Sequence, residues 1–122
     1  MAHEHPKYDP ANRVAEDAEL AEFFDLLGRP HTTAILRRFA CDSGPWRYSE
    51  LQETLDISPT TLSNRLAALT EAGIIERESY DEIPPRVEYS TTAKGEALRP
   101  PFEELLVWID SYDCPIWRAV GG

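Results

Sequence analysis

The chain has 122 residues, one domain's worth, with 42% hydrophobic and 28% charged residues, an ordinary globular mix able to bury a core. No apolar run, Leu105-Leu106-Val107-Trp108-Ile109 included, approaches the roughly 20 residues of a membrane span. Met1-Ala2-His3-Glu4-His5-Pro6 lacks the basic-then-apolar pattern of a signal peptide, so a cytoplasmic protein without a membrane partner is expected. The formal net charge is −10, and Arg supplies all but two of the basic residues (Lys7, Lys94). Such a surface suggests a host with a very salty cytoplasm, such as a halophilic archaeon, where screening makes self-repulsion cheap.

Residues 1–13 hold Pro6, Pro10 and no periodicity, and read as a mobile tail. From Val14 the pattern is helical, with Leu20, Phe23, Phe24 and Leu27 on one stripe and Gly28 as the stop. A second helix is predicted from Pro30, with Ile35, Leu36 and Phe39 inward and Arg37 and Arg38 toward solvent, ended by Asp42-Ser43-Gly44-Pro45. Trp46-Arg47-Tyr48 is long enough only for a minimal strand. Ser49 with Gln52 three residues on reads as a capping box for a two-turn helix burying Leu51 and Leu55, broken at Asp56-Ile57. Ser58 as N-cap and Pro59 in the first turn restart the helix, whose Leu62, Leu66 and Leu69 recur on one face until Gly73.

After Gly73 the period becomes alternating. Residues 75–80 and 87–91 read as the strands of a hairpin, with Asp81-Glu82-Ile83-Pro84-Pro85-Arg86 as a stiff tip. A last helix from Thr92 carries Leu98, Phe102, Leu105 and Ile109, and Pro100-Pro101 predicts a break or kink near Arg99. Leu106, Trp108, Tyr112 and Trp117 are apolar surplus beyond one stripe. Residues 114–122 read as a second tail.

This order specifies a mainly α fold with a small β-wing: a winged helix-turn-helix spanning residues 14–113. The leucines and Ile57 lock the helices from Ser49 and Ser58 at a steep angle. Thr60, Thr61, Ser63, Asn64 and Arg65 are left on the outer, N-terminal half of the second helix, the part that enters a major groove. The helix starts at Ser49 and Ser58 offer backbone N–H groups to phosphates, and Arg86 at the wing tip, with Arg77 and Tyr80 nearby, suits a minor groove or a phosphate. Net charge argues against a nucleic-acid partner. Only residues 29–47 are net positive, through Arg29, Arg37, Arg38 and Arg47, and screening lets such a local patch outweigh a distant total. The rival reading is a winged helix used for protein contacts, which the acidic wing residues Glu76, Glu78, Asp81, Glu82 and Glu88 favour.

At these residues the chain resembles the HxlR-type winged helix regulators, relatives of the MarR group. The resemblance runs over roughly residues 20–112: Trp46-Arg47-Tyr48-Ser49-Glu50-Leu51, Ile57-Ser58, Thr61-Leu62-Ser63, Arg65-Leu66, Gly73-Ile74-Ile75, and above all Ile83-Pro84-Pro85-Arg86-Val87-Glu88-Tyr89-Ser90-Thr91-Thr92. It implies a homodimeric, DNA-binding transcription regulator. Thr60, Thr61, Ser63, Asn64 and Arg65 match its recognition helix, and Pro84, Pro85 and Arg86 its wing. The chain departs from the family where Gly28-Arg29-Pro30-His31-Thr32 lacks a Trp and where residues 1–28 lack a sensing cysteine.

The surplus apolar residues of the terminal helices, Phe23, Phe24, Leu27, Leu106, Trp108, Ile109 and Tyr112, predict a two-fold homodimer on a pseudo-palindromic operator. Cys41 and Cys114 read as ordinary thiols, with a redox switch linking them as the sharper alternative. His3, His5 and His31 have no metal-binding partners at suitable spacing, so neither metal nor cofactor is expected. Glu103 and Glu104 diverge on their helix and make no acid/base pair. With no nucleophile elbow or phosphate loop, no enzyme is expected either.

Overall fold

The chain runs α1 (Arg13–Leu27), α2 (Thr32–Cys41), β1 (Trp46–Arg47), α3 (Tyr48–Leu55), α4 (Pro59–Glu71), β2 (Ile75–Tyr80), β3 (Arg86–Thr91) and α5 (Ala93–Ser111). This is the order in a computed structural model, which describes residues 13–112. The expectations for His3 and His5, for Cys114 and Trp117, and for the two tails lie outside the described residues. The strands form an antiparallel sheet of order β1-β3-β2, α3, α4 and α5 pack against its strands, and the mainly α winged fold expected from the periodicities is the fold observed. Among the described residues, no helix is long and apolar enough to cross a membrane.

The core gathers the stripe residues of each element. Ile35 and Phe39 of α2, Leu51 of α3, Leu62, Leu66 and Leu69 of α4, and Ile75 of β2 are fully enclosed. Tyr89 of β3 and Phe102 of α5 close the ends of this cluster, while Leu55 and Ile57 pack half-buried against it. Complete burial of one such leucine contributes roughly 1.5–3 kcal/mol.

Four local expectations are corrected. Pro30 does not start α2. It is the second residue of a type II turn in which His31 takes the left-handed conformation (φ 72°) and the Thr32 N–H donates to Arg29 O at 3.1 Å. Ser49 is not the N-cap of α3. Arg47, ending β1 at ψ 150°, already has the extended backbone a cap requires, and Glu50 Oε1 accepts from its N–H at 2.9 Å. Arg38 is half-buried rather than open to solvent. Helix α5 does not break at Arg99, and Pro100 and Pro101 lie inside it. Their rings fit helical φ, both are exposed, and the carbonyls they leave unbonded can turn to water.

The end of α4 meets the expectation for Gly73 and adds a joint to α5. With Gly73 at φ 80°, its N–H donates to Thr70 O and that of Ile74 to Leu69 O, both at 3.0 Å, the paired bonds of a Schellman turn. Thr92 caps α5 by accepting from the Gly95 N–H at 3.1 Å, and its hydroxyl donates back to Gly73 O at 2.5 Å. Lys94 Nζ donates to Ala72 O at 2.7 Å. Helix α5 therefore begins bolted to the turn that ends α4.

A second latch holds the wing base. The Glu96 carboxylate accepts from Thr91 Oγ1 at 2.6 Å and from Ser43 Oγ, with Arg99 Nη2 3.2 Å away. The Ser43 and Thr91 hydroxyls hold the Glu96 carboxyl below the usual carboxylate range, aided by Arg99. A carboxyl depressed in the folded state stabilises above its unfolded value, and that stability is lost as the pH falls through the folded one. Urea midpoints measured from pH 7 to pH 3 are therefore expected to drop below about pH 4.5, and Glu96→Gln to flatten part of that drop while lowering the midpoint at pH 7.

Candidate nucleic-acid interface

Helix α4 shows how the site is set. Ser58 Oγ accepts from the Thr61 N–H at 3.2 Å, and Pro59 occupies the first helical position. Because Leu62, Leu66 and Leu69 are fully buried, the opposite face must project, and Thr60, Ser63 and Asn64 are exposed there. Thr61 does not join them. It is half-buried and its hydroxyl is bonded to Ser58 Oγ at 3.0 Å, so it belongs to the cap. Arg65 is also half-buried, and its Nε donates to Pro30 O at 2.8 Å, tying α4 to the turn before α2.

Ser49 lies exposed in the first turn of α3. Beside it, Tyr48 spans the two helices: its hydroxyl donates to Pro59 O at 2.9 Å and bonds Ser63 Oγ at 3.0 Å. This tie sets the angle of α4 at its outer end, and no periodicity in the sequence points to it. Tyr48→Phe is expected to cost about 1 kcal/mol in urea denaturation with helix content by circular dichroism unchanged.

Between α3, α4 and the wing lies an open cleft of about 440 Å³. Ser49, Ser63, Arg77, Pro85 and Arg86 from the sequence reading line it together with Arg47 and Tyr48. Arg47 and Arg77 are exposed and make no ion pair among the described residues. Arg47 was legible only as a member of the one positive segment. Its place in the cleft comes from β1 pairing with β3, which sets Arg47 opposite Glu88.

Arg86 is not at the wing tip. It is the first residue of β3, paired with Tyr80, and its guanidinium lies 4.2 Å from the centre of the Tyr80 ring. Glu82 Oε2 stands 3.1 Å from Nη2 and Glu88 Oε2 3.3 Å from Nε. Partial burial first, then the charges of Glu78 and Glu88, raise the Tyr80 phenol above its ordinary value, so it stays a neutral platform for the cation. The tip itself consists of Asp81, Glu82, Ile83, Pro84 and Pro85, all exposed.

The terminal helices show the apolar surplus on their surfaces. Leu20 and Phe24 of α1 are 54% and 53% exposed, and Leu106 and Trp108 of α5 are 38% and 57% exposed. Tyr112 stacks tilted on Trp108 at 5.8 Å. Phe23 and Leu27 are half-buried against the core and Ile109 is half-buried, so part of the expected interface set serves the monomer. Cys41 is an exposed free thiol at the end of α2.

Known proteins share this fold. The uncharacterized HTH-type transcriptional regulator YkvN of Bacillus subtilis (strain 168) is 40% identical over 67 residues, 54% of this chain and 57% of YkvN, so the match spans little more than half of that relative. The HTH-type transcriptional regulator YodB of the same organism is 37% identical over 90 residues, 73% of this chain and 79% of YodB. The solved structure of YodB in its reduced form superposes with a TM-score of 0.70 at 35% identity, covering 80% of this chain and 94% of that one. A MarR-family protein from Enterococcus faecalis V583 gives a TM-score of 0.71 at 25% identity, covering 90% and 93%. The family model described as HxlR-like helix-turn-helix matches residues 26–116. With its capped helix pair, its hairpin and three quarters of its length in register with that model, the chain belongs to the HxlR-like helix-turn-helix family.

Proposed function

We propose that the chain is a DNA-binding transcriptional regulator that acts in the cytoplasm as a homodimer and controls its target by occupancy, without catalysis. The observation that carries this reading is the cleft in which Arg47 and Arg77 stand free beside the projecting Ser63 face of α4. A basic cleft next to a small polar helix face suits a phosphate strand entering beside a major groove. Residues 14–113 then form the DNA-binding and dimerising body.

In this reading Thr60, Ser63 and Asn64 face base edges, Ser49 and Ser58 face phosphates at their helix starts, and Arg47 and Arg77 hold the backbone. Arg65 and Arg86 act from fixed positions, one tied to Pro30 and the other between two carboxylates, while Thr61 supports the cap. Tyr80, Pro84 and Pro85 shape the wing. The exposed apolar residues of α1 and α5 support a two-fold dimer, which sets two α4 helices about 34 Å apart on a pseudo-palindrome.

A gel shift on a duplex from the chain's own upstream region tests the reading. Asn64→Ala is expected to bind its best site about tenfold more weakly and to relax discrimination at one base-pair position. Light scattering of the free protein should return twice the chain mass. A monomer, or an Asn64→Ala protein with unchanged sequence preference, refutes the corresponding half of the proposal.

A further inference from the structure

The wing tip carries a feature that no charge-based reading of the hairpin uses. Ile83 is 101% exposed, a fully solvated β-branched side chain on a turn between Glu82 and the Pro84-Pro85 pair. Single exposed apolar residues are common on protein surfaces. This one differs in its setting. Among the described residues, the cation that adjoins the tip in the chain, Arg86, stands at the start of β3 between the Glu82 and Glu88 carboxylates. Asp81 and Glu82 make the tip's flanks acidic. A tip built this way gains nothing from phosphate attraction, so what it offers a duplex is apolar surface on a stiff support.

We propose that Ile83 is a wedge that enters the minor groove beside the site and partly unstacks one base step, kinking the duplex there toward its major groove. Apolar side chains inserted between base steps kink DNA toward the major groove, and the cost of unstacking is offset by the longer protein surface the bent duplex then reaches. The two prolines fit this role because they fix the backbone that follows the wedge, so insertion orders little that is not already ordered. Arg86, stacked on Tyr80 and held by two carboxylates, braces the loop from behind. The inference rests on the DNA-binding reading above and adds a shape-reading contact to it.

The test uses the full chain and a 40-bp duplex from its own upstream region, with an energy-transfer pair placed on either side of the flank that the wing covers, about 20 bp or roughly 70 Å apart, and 2-aminopurine at successive steps of that flank. The expected result is a shortened distance between the labels on binding and a fluorescence rise at one step. Ile83→Ala should remove both signals and weaken binding about tenfold, as expected for the loss of one buried aliphatic side chain. Ile83→Leu should retain them. The Ile83→Ala increment should persist as salt is raised, unlike the contribution of the cleft arginines, because it contains no counterion release. Since Ile83 packs on nothing, thermal melts of both variants should match the parent. A duplex that is bound yet straight, or bent equally by Ile83→Ala, overturns the wedge and leaves the DNA-binding reading standing. A duplex that is never bound across the salt series overturns both.

Discussion

Gly95→Ala is expected to lower the melting temperature by roughly 10 °C or more. A Cβ on Gly95 would overlap the Ile74 carbonyl oxygen outright and stand 3.2 Å from its carbonyl carbon and 3.3 Å from its Cγ2. Two of those atoms are backbone, and that backbone is doubly held: the Ile74 N–H closes the Schellman turn on Leu69, and its carbonyl accepts from the Thr92 N–H at 3.1 Å. Neither side can yield by changing a rotamer, so the first turn of α5 must lift from the end of α4. Overpacking of this kind costs about 3 kcal/mol. Gly73→Ala provides the contrast. Gly73 sits at φ 80°, but a Cβ there would meet only the flexible Lys94 side chain, at 3.6 Å. Its cost is the left-handed backbone alone, about 1 kcal/mol. Thermal melts by circular dichroism that ranked the two the other way round would show that the α4–α5 joint is looser than its hydrogen bonds indicate.

That joint also links structure to function. Helix α4 carries the projecting polar face, and α5 carries Leu106, Trp108 and Tyr112. In the proposed dimer the distance between two α4 helices is set through this contact, so a Gly95 substituent displaces one surface relative to the other as well as destabilising the chain.

The features legible in the sequence are those that depend on short range. The leucine period of α4, Ser58 with Pro59 at its start, Gly73 at its end and the alternation of the hairpin each involve residues within a turn or two, and each is found where its pattern placed it. The features missed are ties across long separations. Glu96 bonds Ser43, 53 positions away, and Arg65 bonds Pro30, 35 positions away. No period encodes such pairs. The errors at Pro30 and Pro100-Pro101 share a cause: proline limits φ without choosing between a turn and a first helical residue, or between a break and an exposed stretch of helix. Within the candidate site, Ser63 and Asn64 project as expected because the buried leucines on the far side of α4 dictate it. The environment of Arg86 was not legible, because Glu82, Glu88 and Tyr80 converge on it only once the hairpin register pairs Tyr80 with Arg86.

Arg77→Glu is expected to weaken DNA binding about 100-fold at every sequence, the largest functional effect predicted for this protein. Arg77 is exposed on β2, lines the cleft beside Ser63, and pairs across the sheet with buried Tyr89, which fixes the strand beneath it. Its guanidinium has no carboxylate partner among the described residues, so replacing it breaks no ion pair of the fold and stability should be unchanged. The chain already carries −10, so the one free cation of this strand contributes more than it would on a basic surface, and reversing it adds repulsion to the lost contact. Arg77→Ala separates the two terms: it should cost about tenfold and make the slope of log affinity against log salt shallower by about 0.9, the signature of one phosphate contact. Arg86→Ala should behave differently, because removing that guanidinium takes away the cation that stands between Glu82 and Glu88, leaves Glu88 opposite Glu78 across the sheet, and loosens the wing itself. Its loss of affinity should therefore come with a lower melting temperature. If instead Arg77→Glu binds like the parent at low salt, phosphate does not run through the cleft, and the projecting face of α4 meets something other than a duplex.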